Sequence, residues 1–218
     1  MPELLLSASS LRYVFNEEQK IGLFSASISI HAQAQIAIVG PSGSGKSTFM
    51  AMLAGLQRPQ FGEVLFKGQD LWRLSFPERN RIRQKEISFI SQFTSLHDSF
   101  TIFDNLLLPM RLAGHKDCEN LRKKATDMLT RVGLNYHHST LPSSLSGGEI
   151  RRAILARALM GDPSLILADE PTSNLDEDSE HSIIKLITET CKDSGAALVI
   201  VTHNRNIANQ MPQLLTLD

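Results

Sequence analysis

Long apolar runs, an excess of one charge and clustered cysteines are all missing from this chain, and each absence closes a class of function. No stretch approaches the roughly 18–20 apolar residues that cross a bilayer, so the chain is not expected to span a membrane by itself. Its start, Met1-Pro2-Glu3-Leu4-Leu5-Leu6, lacks a basic leader and a long apolar core and is not expected to act as a signal peptide. The formal net charge of -1 leaves no electrostatic footprint for nucleic acid. Two cysteines, Cys118 and Cys191, stand far apart with no metal-ligand spacing, which reads as reduced thiols in a cytoplasmic protein. The adjacent His137-His138 also has no partner at metal-binding spacing and reads as solvated loop. Internal repeats, low-complexity segments and heptads are absent from the sequence as well.

What is present describes an ordinary globular chain. Hydrophobic residues make up 42% and charged residues 21%, the usual balance for such a domain. A length of 218 residues suits one domain with a subdomain and a full core. Two β-rich pieces come first, over 4–15 and 23–30, with polar Asn16-Glu17-Glu18-Gln19-Lys20 between them as a hairpin-like turn. Residues 35–39 read as a short apolar strand, 46–54 as a helix, and 63–66 and 87–90 as further strands. The middle turns helical: Leu121, Ala125, Met128, Leu129 and Val132 recur at helical spacing, and Gly133 reads as the stop. A helix from Gly148, a strand over 165–168, a helix around 179–191 and a strand over 197–201 restore the alternation. Such alternation implies an α/β fold with a parallel sheet covered on both faces. The strandless piece over about 93–145 reads as an inserted helical subdomain.

The chemistry gathers in three places. Gly40-Pro41-Ser42-Gly43-Ser44-Gly45-Lys46-Ser47-Thr48 matches a phosphate-binding loop, set after an apolar strand and before a helix. Its glycines let the backbone approach the phosphates, Lys46 is placed to reach the β- and γ-phosphates, and the Ser47 hydroxyl is placed to ligate Mg²⁺. The apolar strand Leu165-Ile166-Leu167-Ala168 ends in Asp169-Glu170, at the carboxyl edge of the sheet where ligands bind in open α/β folds. Standing alone, this acidic pair reads as a helix cap. Beside a phosphate loop, Asp169 reads as a holder of Mg²⁺ through water and Glu170 as the general base that polarises an attacking water.

The third place is Ser146-Gly147-Gly148-Glu149, which follows Leu145 and opens another helix about a hundred residues after the first loop. Free N–H groups and the positive end of the macrodipole make each of these helix starts an anion site. One nucleotide does not need two such sites on one small domain, but two copies arranged head to tail could each lend one. With this pairing the chain resembles, over nearly its whole length, the ATP-binding cassette (ABC) ATPases.

The resemblance implies an α/β phosphate-loop nucleotide triphosphatase fold of the ABC type, with an N-terminal antiparallel β subdomain. Residues 1–92 and 146–218 would form the core and about 93–145 the helical subdomain. It implies ATP and Mg²⁺ as cofactors, a second copy of the chain as an ATP-dependent partner, and integral membrane permease subunits rather than nucleic acid. The expected place is the cytoplasmic side, peripheral on the inner face of the cell membrane. By resemblance, Gln92 senses Mg²⁺ and the attacking water and links them to the helical subdomain, and His203 is the switch histidine that contacts the γ-phosphate. Asn174-Leu175-Asp176 matches the loop that crosses the dimer interface. Tyr13 lies at the spacing for stacking on adenine, against the plainer reading of an exposed strand tyrosine. Three departures stand out: Glu149 for the common glutamine, Ile150-Arg151-Arg152 without the usual polar glutamine, and Ser173 for glycine. None removes a catalytic group.

Three segments narrow the resemblance to the branch of the lipoprotein-releasing, macrolide-exporter and cell-division ATPases. They are Ala168-Asp169-Glu170-Pro171-Thr172 with the 174–176 loop, Asp104-Asn105-Leu106-Leu107-Leu108-Pro109, and the basic stretch 79–85. The expected function is therefore ATP hydrolysis driving a separate permease of the lipoprotein-release or macrolide-exporter type. A cell-division type that signals across the membrane without transport is the alternative. A soluble ABC ATPase acting on nucleic acid would carry coiled coils, zinc modules or two cassettes, and a small phosphoryl transferase would have no use for Ser146-Gly147-Gly148. Residues 93–112 carry Phe93, Leu96, Phe100, Phe103, Leu106 and Leu107, more large apolar side chains than one short stretch needs for its own core. They are expected to form the groove for a cytoplasmic helix of the partner, the alternative being that all pack inside the helical subdomain.

Overall fold

The computed structural model describes residues 3–16, 21–116, 118–173 and 175–217. Met1 and Pro2 of the chain start, 17–20 of the expected turn and Asn174 of the expected interface loop lie outside the described residues.

Two sheets organise the molecule. The N-terminal sheet is antiparallel, in the order β2-β1-β4-β5, built from β1 (Leu4–Asn16), β2 (Ile21–His31), β4 (Phe61–Phe66) and β5 (Gln69–Asp70). The second sheet is parallel, in the order β6-β7-β8-β3-β9. Its strands are β3 (Gln35–Val39), β6 (Ile87–Ile90), β7 (Leu165–Asp169), β8 (Ala197–Val201) and β9 (Gln213–Thr216). Every residue of β7 and β8 is buried, which is why these strands read as continuous apolar runs rather than alternating ones.

Alternation appears instead in what each face packs against. Ile166, Ala168, Leu198 and Ile200 enter a core shared with the helices, whereas Leu165, Leu167, Val199 and Val201 enter a second core shared with the N-terminal sheet and α1 (Lys46–Leu53). The side-chain period of two assigns neighbours in one strand to different cores, and the parallel sheet is covered on both faces as expected.

Helices α3 (Ile102–Leu112) and α4 (Glu119–Arg131) fill the middle of the chain, before a 3₁₀ turn over Pro142–Ser144. Leu121, Ala125 and Leu129 are the buried residues of α4, one per turn on a single face. The chain leaves the helix through Gly133, whose φ of 72° is the left-handed conformation that ends helices. Asn105 is fully buried in α3. Its amide donates to the carbonyls of His97, Phe100 and Thr101 and its oxygen accepts from His97 N–H. A buried amide so fully served fastens the loop before α3 onto the helix.

Helix α5 (Gly147–Leu159) carries the second Gly-rich start, α6 (Glu177–Ser194) follows β7, and α7 (Arg205–Ala208) follows β8. The basic stretch 79–85 lies within a helix, α2 (Phe76–Glu86), that periodicity does not announce.

Candidate active site

Strand β3 delivers the chain into the Gly40–Thr48 loop, and Gly45 caps α1 in the left-handed conformation with no side-chain cap. The first amides of α1 are therefore offered to a ligand rather than to a capping oxygen. At Gly40 the constraint is space: a Cβ there would lie 2.1 Å from the Leu217 carbonyl oxygen. Lys46 folds back over its own loop, its Nζ donating to the carbonyls of Gly40 at 2.9 Å and Pro41 at 2.7 Å. Ser42, Gly43, Gly45, Lys46, Ser47 and Thr48 line one cleft with Gln92, Asp169 and Glu170. Gly40, Pro41 and Ser44 of the loop do not line it, and the Ser44 hydroxyl is buried.

Asp169 ends β7 and is 4% exposed. Burial pushes its carboxyl above the usual range, against the lowering effect of the nearby Ser47 hydroxyl and Lys46 charge. Its Oδ1 is buried with no hydrogen-bond partner among the described residues. Such an oxygen is costly unless something outside the chain serves it. Together with the Ser47 hydroxyl it makes a hard, all-oxygen donor pair of the kind magnesium takes, so the residues present fit that ion.

Glu170 is half-buried with a φ of 49°, a strained conformation for a non-glycine residue. Burial again raises its pKa, the His203 charge and hydrogen bond oppose the rise, and Asp169 adds to it. His203 Nδ1 lies 2.9 Å from Glu170 Oε2. With the carboxylate ionised, only a ring protonated at Nδ1 can donate there. Sequence reasoning paired His203 with a phosphate and missed this contact to the acid.

Ser146-Gly147-Gly148-Glu149 does not join this cleft. Ser146 caps α5, its hydroxyl accepting from Glu149 N–H at 3.4 Å, while the Glu149 carboxylate accepts from Ser146 N–H at 2.8 Å and Ser146 Oγ at 2.7 Å. The hydroxyl hydrogen bond chiefly holds the half-buried Glu149 carboxyl below its usual range. Glu149 thus does capping work, which the S-x-x-E spacing could have announced. His137 approaches the same carboxylate at 3.4 Å and His138 stacks on Phe103 at 5.3 Å between ring centroids. Both rings are half-buried, so the solvated-loop expectation for this pair is corrected: an aromatic face and an acid draw them in.

Other expected residues fall elsewhere. Tyr13 is half-buried on β1, packed against the second core, and is not among the residues lining the phosphate cleft. Two of the departures meet: Arg151 Nη2 donates to Ser173 Oγ at 3.2 Å, tying α5 to the turn after Glu170. Of the six apolar residues of 93–112, Leu96, Leu106 and Leu107 are buried, Phe103 is half-buried, and Phe93 and Phe100 are exposed. Sequence reasoning used Thr172 only within a branch-defining segment and gave no site role to it, to Glu180 or to Asn204, which are bonded to one another beside Glu170 and His203.

A phosphate cradle at the carboxyl edge of a parallel sheet, facing two acids of which one is bonded to a histidine, defines a nucleoside-triphosphate-binding protein of the phosphate-loop class. The sequence model described as ABC transporter matches residues 23–173. The chain belongs to the ABC transporter family and is an ATP-hydrolysing nucleotide-binding domain of it.

Solved structures agree in fold. The chain is similar to the ATP-binding cassette MJ0796, described as a dimer in a post-hydrolysis state bound to ADP and Pi. That match has 31% identity and a TM-score of 0.87, and covers 98% of this chain and 94% of that one. A second dimeric structure of MJ0796, described as a bacterial ABC transporter cassette, matches at the same identity and coverage with a TM-score of 0.88. The cassette MJ1267 in its ADP conformation, 24% identical with a TM-score of 0.82, covers 98% of this chain and 87% of its own and shares the fold.

Proposed function

We propose that two copies of this chain close head to tail around two ATP molecules, and that closure and hydrolysis drive a separate membrane permease. Each ATP would lie between the 40–48 loop of one copy and the Ser146 helix start of the other. One observation carries this reading: the two anion sites of a single chain do not share a cleft, so a nucleotide that uses both must bridge two chains. The dimeric MJ0796 structures support it.

In this site Lys46 leaves the Gly40 and Pro41 carbonyls for the β- and γ-phosphates. Ser47 and Asp169 would hold Mg²⁺, with Gln92 lining the same cleft; when bound, the ion would supply positive charge against the phosphates. Glu170 accepts a proton from the attacking water, and its raised pKa brings it nearer to working pH, as a general base requires. His203 donates from Nδ1 to Glu170 and so fixes that carboxylate while facing the γ-phosphate. Ser146 turns its hydroxyl from Glu149 to the partner's nucleotide, beside the open amides of Gly147 and Gly148. Tyr13 stacks on the adenine.

The permease would dock at the junction of α2, β6, α3 and α5. There Phe89, Ile90, Thr94, Pro109, Met110 and Ile154 line a cavity, and Phe93 and Leu112 are 87% and 73% exposed in the adjoining chain. Exposed aromatic and aliphatic side chains beside a cavity suit a short partner helix. The 104–109 and 168–176 segments favour the lipoprotein-release and macrolide-exporter branch, with the domain peripheral on the cytoplasmic face. Light scattering on Glu170→Gln should give a monomer mass alone and a dimer mass with ATP. A monomer mass at saturating ATP overturns the two-copy reading.

A further inference from the structure

Behind Glu170 and His203 stands a third carboxylate with no assigned role. Glu180 lies in the first turn of α6, along with Glu177 and Asp178, where acids ordinarily serve the helix dipole. Glu177 and Asp178 are exposed, but Glu180 is half-buried. One of its oxygens accepts from Thr172 Oγ1 at 2.7 Å and the other from Asn204 Nδ2 at 2.8 Å.

These two donors belong to the two loops that carry the reacting pair. Thr172 is 4% exposed and sits in the turn after Glu170, where Ser173 N–H donates to the Glu170 carbonyl. Asn204 follows His203; its N–H donates to Thr202 Oγ1 at 3.0 Å and its Oδ1 accepts from Asn206 N–H at 2.9 Å, capping α7. One carboxylate therefore bridges the two loops whose side chains meet at 2.9 Å in front of it. Both bonds have a charged acceptor, the stronger class of hydrogen bond.

The reacting pair needs such a support. Glu170 holds a left-handed φ of 49°, and a strained residue persists only where its surroundings over-determine it. The His203 side chain is 76% exposed, so packing does little to fix the ring. Its position descends from the backbone at Thr202 and Asn204.

We propose that Glu180 is a positioning residue for ATP hydrolysis, clamping the Glu170 loop to the His203 loop through Thr172 and Asn204. The proposal rests on Glu170 acting as the general base. It concerns turnover, not nucleotide affinity, because none of the three clamp residues lines the phosphate cleft.

The substitution Asn204→Asp isolates the clamp. Its carboxylate still accepts from Asn206 N–H, so the α7 cap is kept, but the atom facing Glu180 changes from donor to repelling acceptor. Adding Glu180→Gln turns an amide donor toward that acid and keeps an oxygen for Thr172. Glu180→Gln alone also satisfies both neighbours, since the Thr172 hydroxyl can accept instead of donate.

ATPase kinetics on the purified domain, with unfolding midpoints in parallel, give the test. Asn204→Asp and Glu180→Ala should lower kcat by about tenfold to a hundredfold, the scale of a misplaced catalytic group, with KM for ATP within about twofold. Glu180→Gln alone should stay close to wild type, and Glu180→Gln with Asn204→Asp should recover most of the lost kcat. A wild-type kcat in Asn204→Asp, or a double variant no more active than Asn204→Asp, overturns the clamp. So does a loss that disappears when the assay is run far below the unfolding midpoint. If Asn204→Asp fails to fold, Glu180→Ala decides by the same criteria. Glu170→Gln assayed alongside separates the two claims: full activity there sinks the base assignment, whereas an inactive Glu170→Gln beside a fully active Asn204→Asp sinks only the clamp.

Discussion

Lys46 and Glu170 sit in one cleft but should fail in different ways. The ammonium of Lys46 is held by two carbonyls of its own loop, so a phosphate takes it over without long travel. Lys46→Ala should lose nucleotide binding and turnover together. Glu170→Gln keeps size and hydrogen bonding but cannot take a proton; ATP binding should persist while turnover falls by about 10²-fold or more. Nucleotide titration beside steady-state hydrolysis separates the cases, and wild-type turnover in Glu170→Gln would remove its role as base. Asp169 gives a prediction of opposite sign. Its folded pKa is raised by burial above an ordinary value of 3.8, so the fold favours the neutral acid. The stability this group contributes is fully present below the unfolded pKa and is lost as pH rises through the raised folded value. At neutral pH the buried charge is a net cost, and Asp169→Asn should raise the melting temperature of the nucleotide-free protein while abolishing hydrolysis. Calorimetry across pH should show that gain shrink as pH falls toward the unfolded pKa.

At the scale of elements, legibility followed apolar pattern and failed where local bonding takes over. Strands β3 and β8 coincide with the expected 35–39 and 197–201 because buried parallel strands are continuous apolar runs bounded by polar residues. Helix α4 was legible from one residue per turn on a single face. Helix α2 was not, since it buries no residue and so has no apolar stripe. Its start is held by the Glu78 carboxylate, which accepts from Ser75 N–H and Ser75 Oγ. Strand β9 escaped for a related reason: three of its four residues are exposed at the edge of the sheet. The cradle was legible because phosphate binding demands glycines at fixed offsets. The contact between Glu170 and His203 was not, as it joins residues from two loops that only the sheet order makes neighbours. That sheet order also constrains the loop. Gly40 passes the Leu217 carbonyl, just beyond β9, too closely for any Cβ, so Gly40→Ala must shift either the cradle or the end of the chain. Overpacking of this kind costs about 1–3 kcal/mol and should lower Tm by several degrees in a domain of this size. Weaker nucleotide binding should accompany the fall; an unchanged Tm and affinity would show that the junction yields freely.

For the whole molecule, the two cores set where motion leaves the domain. Helices α3 and α4 pack with one face of the parallel sheet, while α1 and the N-terminal sheet pack with the other. Gln92 stands at the rim of the phosphate cleft, and the strand it follows, β6, lines the cavity shared with α3 and α5. On the proposed function, movement at the γ-phosphate would reach α3 through the 91–101 segment that joins β6 to it. The apolar surplus of 93–112 divides along the same line. Leu106 and Leu107 anchor α3 in the core, and Phe93, Phe100 and Leu112 stay outside it. The exposed members are the ones a permease helix would cover. Single cysteines placed over 95–104 should crosslink to a co-purified permease, and Leu112→Asp should uncouple it while leaving basal ATP hydrolysis unchanged. The uncoupled variant should bind the permease more weakly, because a charge now faces the apolar helix that the leucine would meet. Full permease binding and full coupling in Leu112→Asp, with no crosslink over 95–104, would move the docking site off this face.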